Sequence, residues 1–282
     1  MYKDILVPYI NARSAAAPLT AAIALAERNL AHVALLVIVD VPAPVPNDWT
    51  GMSYSTYLRL HEEAHQRADA LAASLRERVA NAAVPVEVRM ADALALYPAS
   101  TATLHAHYAD VAVVPSLTAE DSGQVHDFFQ DLLLDSGRPV LVVPPSAQTA
   151  TQTATAPKRV VVAWRPTRES ARAVHDALPL LKQAEHVDVL VVDPKVGETA
   201  HGEEPGADIA AHLARHGVRV QAVARPSQGA SVGAAILDYA ERSGADMIVA
   251  GGYGHSRLRE RMLGGATRDL LHTASLPVLF SH

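Results

Sequence analysis

The chain has 282 residues, with 24 Lys and Arg against 30 Asp and Glu, no Cys and 49% hydrophobic residues. That balance excludes disordered, collagenous and disulfide-stapled chains, and the missing cysteines remove thiolate zinc sites, iron–sulfur clusters and Cys nucleophiles while suiting a reducing compartment. The net charge of -6 is modest, so the balance does not point to a nucleic-acid partner.

Met1-Tyr2-Lys3-Asp4 runs directly into Ile5-Leu6-Val7-Pro8, without the basic and then apolar regions of a secretory leader, and a cytoplasmic protein is expected. The longest apolar run, Leu30 to Val41, contains His32 and Asp40 and is too short to span a bilayer, so no membrane contact is expected. Residues 1–150 carry nine cations and sixteen anions, whereas the remainder carries fifteen and fourteen. An anionic ligand is therefore more at home in the second half.

An internal repeat organises the chain. Ile5-Leu6-Val7-Pro8 is matched by Val160-Val161-Val162-Ala163, and Ala109-Asp110-Val111-Ala112-Val113 by Ala245-Asp246-Met247-Ile248-Val249. The halves also close alike, Asp131-Leu132-Leu133 and Pro139-Val140-Leu141-Val142 against Asp269-Leu270-Leu271 and Pro277-Val278-Leu279-Phe280. The offset falls from 155 to 138 along the repeat, which places about 17 extra residues inside the first half, and Pro42 to about Glu63 is the expected insertion. The expected division is residues 1–146, a proline-flanked polar linker over 147–157, and residues 158–282.

Within each half, Val/Ile/Leu-rich runs alternate with stretches of helical period, as in βαβ units. In the second half the pattern predicts strands near 160–164, 187–193, 218–224, 246–250 and 277–281. A helix follows the first of these, with Thr167 as N-cap and a stripe of Ala171, Val174, Leu178 and Leu181 facing the sheet. Continuous apolar strands such as Val187 to Val192 imply burial on both faces, hence two tandem doubly wound five-stranded parallel-sheet α/β domains.

In such a sheet the ligand crevice lies beyond the carboxyl ends of the strands. After the fourth strand of the second half stand Gly251, Gly252 and Gly254, then Gly264-Gly265-Ala266-Thr267 opening a helix. Glycines there let backbone amides approach an anion, and a helix start adds unpaired N–H groups, so phosphate is the natural guest. The P-loop and dinucleotide patterns fail, the latter because Arg257 stands where its third glycine belongs. The plain alternative is a pair of turns and a helix start in any α/β domain.

The spacing Gly251-x-x-Gly254, nine residues, then Gly264 resembles the ATP-binding signature of the universal stress protein family, and the pair of similar halves looks like its tandem members. The resemblance implies a Rossmann-like fold in each half, with ATP, ADP or AMP as ligand and Mg2+ as a companion it could bring. It places the phosphate-binding glycines at Gly251, Gly254 and Gly264 with Ala250 before them, and adenine near Ala163 and Val191. Two positions depart from the family pattern: Gly265 replaces a Ser/Thr, with Thr267 nearby to offer a hydroxyl, and Arg165 replaces an acidic residue. Arg165 could pair with phosphate, stack on the base or fill the pocket. Arg257, Arg259, Arg261 and Arg268 surround the glycines as phosphate partners or as a solvated face.

The first half has Pro115 where Gly251 stands, followed by the acidic, glycine-poor Ser116 to Asp121, and is expected to lack the site. The resemblance also implies pairing of the last strands, Val140 to Val143 beside Val278 to Phe280, as an internal pseudo-dimer, with further association into a homodimer open.

His61-Glu62-Glu63-Ala64-His65 matches His-Glu-x-x-His, which on a helix aims two imidazoles at zinc, with Glu87, His105 and His107 as third-ligand candidates. A solvated helix is the plain reading, and no metal site is expected. No Gly-x-Ser-x-Gly elbow occurs. Tyr54, Tyr57, Leu58 and Leu60 read as packed on their own sheet, or else as a partner surface. The expected function is an adenine-nucleotide-binding stress-response regulator, hydrolysing ATP slowly at most. The alternatives are a nucleotide-free scaffold for a protein partner, an adenine-nucleotide-dependent ligase or transferase, and a zinc hydrolase.

Overall fold

The computed structural model describes residues 1–9, 16–40, 54–93, 98–117, 121, 123–145, 157–194, 204–253 and 265–282. The first half comprises β1 (Asp4–Tyr9), α1 (Ala16–Asn29), β2 (His32–Val39), α2 (Tyr54–Val79), β3 (Val86–Asp92), α3 (Pro98–Ala106), β4 (Val111–Pro115), α4 (Gly123–Asp135) and β5 (Val140–Val143). The second comprises β6 (Arg159–Ala163), α5 (Arg168–Leu181), β7 (His186–Val192), α6 (Ala207–Arg215), β8 (Val220–Arg225), α7 (Val232–Ser243), β9 (Met247–Gly251), α8 (Gly265–Thr273) and β10 (Val278–Ser281).

The ten strands form one sheet in the order β3-β2-β1-β4-β5-β10-β9-β6-β7-β8. Pairing is parallel within each half. The halves join through an antiparallel contact in which Val278 faces Val142, Leu279 faces Leu141 and Phe280 faces Val140. Each half is thus a doubly wound α/β unit, as the apolar strands predict, and strands of the two halves run in opposite directions. The carboxyl ends of the second half's strands therefore share an edge of the molecule with the amino ends of the first half's.

Alternation along the strands builds two cores. One face gathers Val7, Leu35, Val113 and Leu141 with Val162 and Val189 under α1, α2, α5 and α6. The other gathers Leu6, Leu36, Ala112 and Phe129 with Val161, Leu190, Ile236, Leu270 and Phe280. Each cluster runs through both halves without a break, and Phe129 meets Phe280 edge to face across the junction, 5.7 Å between centroids.

The repeated Ala-Asp has a structural cause. Asp110 Oδ2 accepts the backbone N–H groups of Lys3 and Asp4, and Asp246 Oδ2 accepts those of Lys158 (2.7 Å) and Arg159 (3.0 Å). Each carboxylate ties the unpaired start of the first strand to the turn before the fourth.

The extra length of the first half lies largely in a helix. α2 has 26 residues where its counterpart α6 has nine. Ala64, Ala68, Ala72 and Leu75 form its buried stripe, so the first ten residues of the helix contribute nothing fully buried. Tyr54 (73%) and Leu58 (47%) are exposed and Tyr57 and Leu60 half-buried, which corrects the expectation that all four pack on their own sheet. Residues 42–53 of the expected insertion lie outside the described residues, as does the expected linker apart from Pro157. The face of α5 is also turned from its predicted stripe: Ala173, Val174, Ala177, Leu180 and Leu181 are buried, while Ala171 is exposed and Leu178 half-buried. Among the described residues no helix is long and apolar enough to cross a membrane.

Candidate functional site

The second half has its topological switch point between β6 and β9. β6 pairs with β7 on one side and β9 on the other. The chain leaving β6 enters α5, packed on the first core, and the helix following β9 is α8, packed on the second. A crevice opens where two such connections part to opposite faces.

Ala163 ends β6, opposite Leu190 and Ala250. Thr167 caps α5 as predicted, its Oγ1 accepting from the Ser170 N–H at 3.4 Å. Ala163 is half-buried and Arg165 exposed, and the Arg165 guanidinium has no partner among the described residues. Val191 is buried, its Cγ2 3.2 Å from where a Cβ on Gly206, ahead of α6, would stand.

Gly251 serves packing. A Cβ there would stand 2.7 Å from the carbonyl carbon of Glu169 and 2.7 Å from the nitrogen of Ser170, so only glycine lets the first turn of α5 lie against the end of β9. Gly252 meets the other half, because a Cβ on it would stand 2.6 Å from Leu133 Cδ2 of α4. Tyr253 then adopts a left-handed conformation (φ 57°). Its N–H donates to Thr267 Oγ1 at 3.4 Å, which makes the buried Thr267 hydroxyl a support for the loop exit. Burial, with Asp131 and Asp127 behind it, pushes the Tyr253 phenol up.

α8 starts at Gly265, whose Cβ position has nothing within 4 Å among the described residues. Gly265 is exposed and Ala266 half-buried, and first-turn N–H groups have no partner inside their own helix. The site therefore brings Ala163, Ala250, Gly251, Gly265 and Ala266 to one edge, with Thr267 beneath. Gly254 and Gly264 lie outside the described residues, as do Arg257, Arg259 and Arg261.

Sequence reasoning missed a hydrogen-bonded chain behind the glycines. Glu169, 4% exposed, accepts from Arg168 Nε at 2.6 Å. Arg168 Nη2 lies 3.2 Å from His282 Nε2, and His282 Nδ1 lies 3.1 Å from the Gly252 carbonyl. Arginine can only donate, so His282 Nε2 accepts and its Nδ1–H is left to hold Gly252. Burial alone would raise the Glu169 carboxyl, yet hydrogen bonds from Arg168, its own backbone N–H and Thr167 outweigh it and hold the group below the usual range. The signal available in sequence was Thr167-Arg168-Glu169-Ser170, which reads as an ordinary solvated first turn.

The zinc pattern does not assemble with its proposed partners. His61 and His65 stack on α2 with ring centroids 4.6 Å apart, and His65 Nε2 is 3.5 Å from Asp92 Oδ1 at the carboxyl end of β3. Glu87 stands near the opposite end of that strand, paired with Arg89 at 2.7 Å, and His107 Nε2 lies 3.3 Å from the Asp135 carbonyl. Burial, then Arg89, lowers His105, against the pull of Glu87, which places His105 with that distant group. No group of three or more His, Asp or Glu able to hold a metal occurs among the described residues.

In the first half, Tyr9 ends β1 at 5% exposure and Leu117 follows β4 at 4%, so bulky side chains fill the corresponding strand ends. The Ser116 N–H is taken by the Val143 carbonyl at 2.9 Å.

Together these features define a tandem Rossmann-like α/β chain with an open helix start at one switch point. Residues 157–282 match the model of the Universal stress protein family. Across the whole chain, a universal stress protein from Archaeoglobus fulgidus shares the fold with a TM-score of 0.72 at 16% identity, covering 99% of this chain and 95% of that one. A functionally unknown protein from Pseudomonas aeruginosa aligns with a TM-score of 0.59 at 16% identity, covering 99% and 92%. No curated protein matches the chain in sequence.

Proposed function

We propose that the second half binds an adenine nucleotide at the switch point between β6 and β9, and that the chain acts in the cytoplasm as a nucleotide-responsive stress regulator. The observation that carries this reading is the start of α8. Among the described residues nothing occupies the place a Gly265 side chain would take, at the strand edge where doubly wound sheets receive phosphates. The exposed Arg165 and the positive balance of the second half add favourable charge.

The donor set suits phosphate better than a protein-held metal. Glu169 is engaged by Arg168, and the Asp193 carboxylate at the end of β7 accepts the Ser227 N–H at 2.8 Å. Mg2+ would therefore arrive on the phosphates and keep its waters. With no free general base at the crevice among the described residues, hydrolysis is slow at most.

A second reading, a scaffold acting through a protein partner, draws on the exposed Tyr54 and Leu58 at the start of α2. Isothermal calorimetry of ATP and ADP against the full chain separates the two. The nucleotide reading expects micromolar binding that Gly254→Glu abolishes, and a folded, ligand-free protein giving no heat with either nucleotide would leave the scaffold.

A further inference from the structure

The helix that follows the glycine loop is fastened to the first half by a pair of imidazoles. His126 on α4 and His272 in the last turn of α8 meet with Nε2 atoms 3.0 Å apart and ring centroids 4.8 Å apart. At that distance one ring donates its Nε2–H to the lone pair of the other, which requires the acceptor to be neutral. A proton on both nitrogens sets two N–H groups and two positive charges face to face.

α4 also reaches the strand exit itself. Leu133 occupies the space over Gly252, and Asp127 and Asp131 stand behind Tyr253, whose buried hydroxyl has no hydrogen-bond partner among the described residues. One first-half helix thus touches the loop at its beginning and the loop's helix at its end.

We propose that the His126–His272 contact is a pH-sensitive latch between α4 of the first half and α8 of the second, made when at least one ring is neutral and released when both rings are protonated. The latch stands independently of the nucleotide reading, and its effect on a ligand rests on that reading. Among the described residues, Arg268 of α8 and Asp121 ahead of α4 act on the pair, with Asp127 next in sequence to His126 and Asp269 next to Arg268. Asp269 is engaged by the Ser231 hydroxyl beside α7. Burial, His126 and Arg268 oppose a proton on His272, and Asp121 only partly offsets them, so the ring titrates below the ordinary histidine value. The sign follows: the contact is complete above the ordinary histidine value of about 6.5 and, because it survives a single proton, is lost as the pH falls through the lower value at which His272 gives up its neutral form.

The test is a double-mutant cycle with His126→Gln and His272→Gln in the full chain, read as Tm at pH 7.5 and 5.5. The expected coupling is about 2–4 °C at pH 7.5, the size of one hydrogen bond in a chain this long, falling to zero or reversing at pH 5.5. Equal coupling at both pH values, or none at pH 7.5, overturns the latch. Amide exchange at Gly252 and Tyr253, corrected for intrinsic rate, should accelerate at pH 5.5 in the wild type and not in His272→Gln. Unchanged exchange at Gly252 and Tyr253 overturns the transmission from α4 to the strand exit. Imidazole NMR titration of the wild type needs no variant, and an ordinary titration of His272 also overturns the proposal.

Discussion

Gly251 lies so tightly under the first turn of α5 that a Cβ on it would stand 2.7 Å from the carbonyl carbon of Glu169. The obstructing atoms belong to backbone held by a capped helix. Beside it, the obstruction at Gly252 is the tip of the Leu133 side chain, which can turn aside. Gly251→Ala should therefore cost about 1–3 kcal/mol, and Gly252→Ala less than half as much. Urea denaturation of the two variants checks the order, and equal costs would contradict the packing role assigned to Gly251.

Glu169 gives the protein an acid-sensitive point. Its carboxyl is held below the ordinary value by Arg168, its own N–H and Thr167 in spite of burial. A depressed carboxylate stabilises the fold above its unfolded value of about 4.3, and this contribution is lost as the pH falls through the folded value. Glu169→Gln should lower the denaturation midpoint at pH 7 and flatten its decline below about pH 4.5. A variant whose midpoint follows the wild-type acid limb in parallel would show that Glu169 carries no such linkage.

Phe280 is fully buried against Phe129 at the junction of the halves. Phe280→Ala should cost about 3–5 kcal/mol. Because both cores are continuous across the junction, the wild type should unfold in one transition, with fluorescence and circular dichroism coinciding. Two separate wild-type transitions would mean that the halves are energetically independent.

The central strands were legible because each is a short apolar run closed by turn residues, whereas the edge strands β3 and β8 mix polar and apolar residues; the repeat of Ala109-Asp110 in Ala245-Asp246 marked equivalent positions. The rotation of the α5 stripe was not legible. Ala171 and Ala173 are chemically equal, and which of them meets the sheet depends on how closely Gly251 lets the helix approach. The separation of His61 and His65 from Glu87 likewise follows from strand direction, which spacing in sequence does not encode. The burial of Glu169 against Gly251, the reach of Arg168 to His282 and the meeting of His126 with His272 are tertiary facts: each arises where segments distant in sequence cross.

The most direct test of the nucleotide site is amide hydrogen exchange of the full chain with and without ATP. Binding at the switch point should slow exchange at Gly251 to Tyr253 and at Gly265 to Thr267, leaving Ser116 and Leu117 of the first half unchanged. Protection confined to the first half, or spread evenly over both, would contradict the assignment of the site to the carboxyl ends of β6 and β9.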